Sequence, residues 1–210
     1  SQLGAILFGV PLGIVAAAHH RRLLDFGAIV LSLTGISLPS FLLAAILVSV
    51  FGVTLQWFPV AGYRPVADVG LGVFRYLFLP VITLTFMQMA LLARMTRSAV
   101  LEVLKQDFVR SARAKGLPET WILVKHVLRS AAVPIVTVIG LSFASLLGGT
   151  WIVESVFAIP RTGSLAITAI LRRDYPVIQG TILLAAAIYV AVNLVIDLSY
   201  AFLDPRLREK

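Results

Sequence analysis

The sequence predicts an all-α, polytopic transmembrane helical bundle of about five spans, forming one domain over residues 1–210. Three observations predict it. Hydrophobic residues make up 59% of the chain and charged residues 13%, against about 45–50% and roughly 25% in ordinary globular domains. The apolar residues fall into five long runs. The lysines and arginines collect in alternate connections between those runs, as expected of loops retained on one side of a bilayer.

The runs are 3–18, 28–53, 77–93, 133–157 and 177–203. A spanning helix needs about 20 residues. The first run is short, and the second and fifth are long enough to tilt or to extend past the bilayer. Pro80, Pro134 and Pro176 stand at the predicted starts of the third, fourth and fifth spans, where a missing N–H costs little. Pro39 differs, because "SLPSF" lies inside the second run. It predicts a kink there, read either as packing or as a hinge.

Orientation follows from charge. The first and third connections and the tail hold thirteen of the 18 lysines and arginines, and the second and fourth hold five. The first set is therefore expected in the cytoplasm, with the N-terminus outside and the C-terminus inside. Trp57 and Tyr63, in the second connection, suit an outer interfacial belt. The net charge of +8 would suggest nucleic acid in a soluble protein, but no basic domain stands apart from the apolar runs. The expected partner is membrane lipid and not nucleic acid. With no cysteine, disulfides and thiolate chemistry are excluded.

The third connection, about 94–132, has the pattern of a structured segment. Val100, Leu101, Leu104, Phe108 and Ala112 recur at helical spacing, with Asp107 and Arg110 placed to pair on the surface. Gly116 suits the left-handed residue that closes a helix, and Arg113 and Lys115 sit in its last turn, where cations suit the dipole. Pro118 and Glu119 then suit the first turn of a second helix running through Trp121, Ile122, Val124, Val127 and Leu128. Two short helices joined at Gly116-Leu117-Pro118 are predicted, fit either to dock in a partner's groove or to pack on the bundle.

Elsewhere the polar residues are few. Gln88, with Thr83 and Thr85, could line a pathway or join helices. Glu154 is a functional candidate by its depth, although an interfacial residue reaching water is the plainer expectation, and Gly148 and Gly149 beside it allow close helix approach. Asn193, Asp197 and Asp204 share a face of the last span, with Tyr200 near it, and Asp197 is expected to anchor to the basic connection. His19 and His20 are adjacent, so their side chains diverge by about 100° on a helix; interfacial anchoring is expected, and no metal site. There is no Gly-x-x-x-x-Gly-Lys loop, so no nucleotide site is expected, and no catalytic constellation is present.

Several motifs together carry a resemblance: "GISLPSFLLAAILVSVFGVTLQWFPVAGY", "LPVITLTF", "LARMTRSAVLEVLKQDFVRSARAKGL", "KHVLRSAAVPIVTVIG", "LLGGTWIVESVF", "RDYPVIQG" and "NLVIDLSYAFLDPRLR". In this order they resemble the B-type permease subunits of the oligopeptide, dipeptide and nickel branch of bacterial ABC importers, over essentially the whole chain. The resemblance implies a type I importer permease in the bacterial inner membrane, forming the translocation pathway for small peptides. Nickel chelates, glutathione or other small solutes are alternatives, and a stand-alone secondary transporter or channel is the alternative of another class.

The resemblance also implies the partners: a second permease, two cytoplasmic ATPase subunits that bind ATP and Mg, and an external, periplasmic solute-binding protein. This chain would bind no cofactor and is not an enzyme by itself. The EAA-like coupling loop falls on Arg110, Ala112, Arg113, Ala114, Lys115, Gly116, Leu117, Pro118 and Glu119. Arg110 stands where a glutamate occurs in other importer families, and Arg161 replaces the first glycine of a Pro-Gly pair. Family members carry an N-terminal helix and an external region before the first run here, so the chain is expected to be a transporter core.

Overall fold

The computed structural model describes residues 1–64, 70–160 and 162–203, and within them no side chain at 71, 144, 147, 148, 197 or 199–203. The expectations for Arg161, Gly148, Tyr200, Asp204 and the Asp197 side chain therefore lie outside the described residues. All regular structure among the described residues is helical.

The order is α1 (Gln2–Ala18), α2 (Leu23–Ser37), α3 (Ser40–Thr54), α4 (Val73–Leu104), α5 (Asp107–Ala114), α6 (119–156), α7 (Thr162–Arg172) and α8 (Tyr175–Leu203). The last seven residues of α3, Val48–Thr54, are π-helical. So is Ile122–Val127 near the start of α6.

Helix α4 is the central post, with α1, α2, α3 and α6 packed around it. The α1 seam is set by small residues. A Cβ added at Gly13 would lie 2.5 Å from the Ala93 carbonyl oxygen and 2.7 Å from Thr96 Cβ, and one at Gly9 would lie 2.9 Å from the Met89 carbonyl oxygen. Gly9 and Gly13 are four residues apart, the spacing that lets two membrane helices touch backbone to backbone.

Two apolar cores follow. One, at the end where α1 and α4 finish, joins Ala17, Val100, Val103, Val109, Ala112, Ile122 and Val127. The other, at the opposite end, joins Ala44, Leu79, Leu146, Val153 and Phe157, with Phe51, Phe58 and Tyr63 packed against it. There the Gly62 N–H donates to the Phe157 carbonyl at 2.9 Å, tying the second connection to the fourth. In their described residues the first and third connections thus share one end of the bundle and the second and fourth share the other.

Pro39 does more than kink its run. Helices α2 and α3 meet at 101° across Leu38 and Pro39. Leu38 is extended (ψ 121°), the conformation a following proline enforces, and the Pro39 carbonyl then accepts the first N–H bonds of α3 from Leu42 and Leu43.

Among the described residues three helices are long and apolar enough to cross a membrane, or four if the bent α2–α3 pair is one span; α1 is a shorter apolar helix. Boundaries shift from the hydropathy reading. Pro80 and Pro134 lie inside α4 and α6 and do not begin them, because each helix runs on into flanking residues that hydropathy leaves out. Arg94 and Arg97 are consequently helical residues of α4, not loop residues. The stretch from Thr162 to Arg172, expected as a connection, is helix α7.

Candidate functional site

The corner after α5 is built from local chemistry. Helix α4 stops at Leu104, and the backbone turns at Lys105 and Gln106 before α5 begins at Asp107. The apolar face read across Val100–Ala112 is therefore divided between two helices. Val109, not Phe108, joins Ala112 in the core, while Phe108 stays exposed. Asp107 and Arg110 pair on the surface at 3.5 Å as the spacing predicted.

At the end of α5 the Leu117 N–H donates to the Ala112 carbonyl at 3.4 Å and the Gly116 N–H to Arg113 at 2.9 Å. With Gly116 at φ 75°, this is a Schellman stop, which satisfies carbonyls that would otherwise lack partners. Pro118 is extended (ψ 142°), and Glu119 starts the next helix.

The corner is clasped from side to side. Arg113 Nε donates to Glu119 Oε1 at 2.7 Å and Nη2 to Oε2 at 3.2 Å. The carboxylate holds the Arg113 guanidinium above the ordinary arginine range. Both groups are substantially exposed, so the clasp contributes roughly 0–1 kcal/mol to stability; it bridges the end of α5 and the start of α6. Ala112 faces the core, while Arg110, Ala114, Lys115 and Leu117 are exposed. Lys125 Nζ lies 4.6 Å from the Trp121 ring centroid, and that ring is 50% exposed. The second short helix does not end at Leu128: nothing between Val127 and Pro134 breaks it, and it continues as α6. The corner thus presents Phe108, Leu117, Trp121 and Val124 to solvent amid basic side chains.

Beside it, the elbow between α1 and α2 holds an ion-pair cluster that sequence reading missed. Asp25 accepts from Arg97 Nε, and also from Arg97 Nη2 at 2.9 Å and from the Arg21 backbone N–H at 2.9 Å. His20 Nδ1 is 3.0 Å from the same carboxylate. The Asp25 side chain is 4% accessible and that of Arg97 18%. The partners lie 72 residues apart, so no local spacing announces them. The elbow and the corner share a cleft of about 370 Å³ lined by Ala18, His19, Arg113 and Glu119 among others.

The remaining candidates separate. Gln88 is buried and donates to Ser145 Oγ at 2.9 Å, joining α4 to α6. Gln2 does the same from α1, through Ser142 Oγ at 2.7 Å. Glu154 reaches across to α7, where its Oε2 accepts from the Gly163 N–H at 2.9 Å and so satisfies one open donor in the first turn of that helix. A Cβ at Gly163 would meet Trp151 Cα at 2.6 Å. Gly149 is under no such constraint, with only Leu84 Cδ2 at 4.0 Å. Asn193 is half-buried on α8, apart from the corner.

The chain belongs to the binding-protein-dependent transport system inner membrane component family, which matches residues 9–209.

It is 46% identical over 200 residues to a Brucella abortus protein named as a peptide transport system permease, an alignment covering 95% of this chain and 64% of that one. It is 42% identical over 210 residues to the glutathione transport system permease protein GsiC of Salmonella typhimurium, covering 100% of this chain and 66% of that one. The chain thus spans just under two thirds of the length of these relatives. Among solved structures it is similar to the inward-facing MetNI methionine ABC transporter, with a TM-score of 0.75 at 15% identity over 97% of this chain and 89% of that chain. A likeness at that identity concerns the fold alone.

Proposed function

We propose that this chain is the membrane-spanning part of a permease subunit in an ATP-driven importer, and that it forms part of the translocation pathway for small peptides. The observation that carries the reading is the corner at Gly116. It is a stopped, clasped and exposed turn, built onto the bundle by Val109 and Ala112, within a chain of the binding-protein-dependent permease family. Such a corner can receive a push from an ATPase and pass it into α6.

In this reading Arg110–Glu119 couples to the cytoplasmic ATPases, which bind ATP and Mg; this chain binds neither. A second permease completes the pathway, and an external binding protein delivers the solute. The chain lies in the bacterial inner membrane with five spans, α1, the α2–α3 pair, α4, α6 and α8, its N-terminus outside and C-terminus inside. Helix α1 is about 25 Å long at 1.5 Å per residue, slightly short of a hydrocarbon core of about 30 Å. Peptides are favoured as cargo because the similar proteins are named for peptide and for glutathione, itself a tripeptide. The break at Leu38 and Pro39 gives the chain one discontinuous span, a feature also of secondary transporters, but the residues at the break carry no charge.

The test uses the full-length permease reconstituted with its partner subunits. Gly116→Trp and Arg113→Glu should abolish both association with the ATPases and ATP-dependent peptide uptake. Uptake that persists without any ATPase would overturn the proposal.

A further inference from the structure

The elbow between α1 and α2 opens onto a groove of about 870 Å³. Its lining divides in two. Arg21 and Arg22 supply positive charge at the rim, and Leu23, Leu24, Phe26 and Ile29 supply an apolar wall. Leu23 is 89% exposed and Phe26 67%, although Asp25 between them is buried.

The charges do not cancel. Among the described residues the groove holds one carboxylate, Asp25, and both of its oxygens are engaged by Arg97, so that pair is neutral. The Arg21 and Arg22 side chains have no acidic partner among the described residues. The elbow is also held in place: Arg21 sits at φ 64°, a left-handed conformation unfavourable for a non-glycine residue, and the bond from its N–H to Asp25 retains it there.

From this juxtaposition we infer that the elbow binds an anionic phospholipid, with its phosphodiester between Arg21 and Arg22 and an acyl chain along Leu24, Phe26 and Ile29. The order of the residues fits a lipid and not a soluble anion. The cations lie where two apolar helices meet, and the apolar wall begins with the next residue of α2, so one molecule with a charged head and a hydrocarbon tail satisfies both halves. Two arginines next to an anionic headgroup correspond to roughly thirtyfold tighter retention than for a zwitterionic lipid. The inference rests on the reading that this end of the bundle lies at the membrane's cytoplasmic face. Since the elbow shares a cleft with Arg113 and Glu119, the bound lipid lies beside the coupling corner.

The experiment takes the full-length permease in complex with its partner subunits and titrates it with phosphatidylglycerol or phosphatidylcholine, counting retained lipid by native mass spectrometry. The wild type should retain one phosphatidylglycerol per permease in preference to phosphatidylcholine. Arg21→Gln with Arg22→Gln should lower that retention roughly thirtyfold, while Arg172→Gln with Arg173→Gln, a basic pair at the other end, should change it less than twofold. A photo-crosslinking benzoylphenylalanine at position 24 should gain the mass of a phosphatidylglycerol. Equal retention of both lipids, equal retention by the Arg21 and Arg22 variant, or a crosslink to protein would each overturn the inference. ATP-dependent uptake measured on the wild-type preparation tests the transport reading separately, since it can fail while lipid retention succeeds.

Discussion

Replacing Asp25 by leucine should destabilise the bundle by about 3–5 kcal/mol, the usual cost of removing one member of a buried ion pair. The magnitude follows from what is left behind. Arg97 loses both of its bonds to the carboxylate, the Arg21 N–H loses its acceptor in a strained turn, and His20 loses its contact. Arg97 keeps 18% of its side chain accessible, so water can reach it in part, and the expected loss is toward the lower end, about 3 kcal/mol. The double variant Asp25→Leu with Arg97→Met removes both charges and leaves two apolar side chains of suitable size. It should recover to within about 1 kcal/mol of the wild type, since a buried pair exchanged for packed apolar groups is often close to neutral. The assay is reversible unfolding of the full-length protein in mixed micelles, followed by tryptophan fluorescence for the four members of the cycle. A single variant costing less than about 1 kcal/mol, or a double variant as unstable as the single, would refute the reasoning that the cluster is a paired, desolvated lock.

Further outcomes follow from the same geometry. Gly13→Leu should cost about 1–3 kcal/mol or more by forcing α1 away from Ala93 and Thr96, read as a lowered unfolding midpoint in the same micelles. Gly116→Ala adds a Cβ that meets nothing within 4 Å, so its cost should be only the roughly 1–2 kcal/mol of the left-handed backbone, with weakened ATPase association in a pull-down. Trp121→Ala with Val124→Ala should leave the unfolding midpoint nearly unchanged, because both side chains are exposed, yet reduce ATPase association at least tenfold. Glu154→Gln should cost about 1 kcal/mol by weakening a charge-assisted bond to α7, and faster hydrogen exchange confined to residues 162–166 would register it.

What could be read from the sequence was local. The Gly116-Leu117-Pro118 corner and the Asp107–Arg110 pair depend on spacings of a few residues, and the structure has them as expected. Pro39 identified a break but not its 101° angle, since a proline removes one donor and biases its neighbour without fixing how two half-helices pack. Gly9 and Gly13 carried a readable signal in their four-residue spacing that hydropathy counting passes over. Asp25–Arg97 and Glu154–Gly163 were not readable in this way. Each joins residues that meet only after helices assemble, and the sequence around an isolated acid gives no sign of its partner. Helix α7 was hidden for a related reason: its first turn is polar and glycine-containing, and one of its open donors is satisfied by a carboxylate from another helix.

Helix α6 starts at the clasp on Glu119 and carries Glu154 one turn from its other end. At 1.5 Å per residue it is a rod of about 55 Å, fastened at both ends by a glutamate. Under the proposed coupling role, a rotation imposed at the Glu119 end need not be relayed through side-chain rearrangements to reach the Glu154 end. Under that role it is carried as rotation of one shaft, to which α7 is tied by the Gly163 bond to Glu154. The π-helical stretch Ile122–Val127 interrupts the α-helical winding of that shaft close to the clasp, and such single-turn departures frequently sit at functional positions.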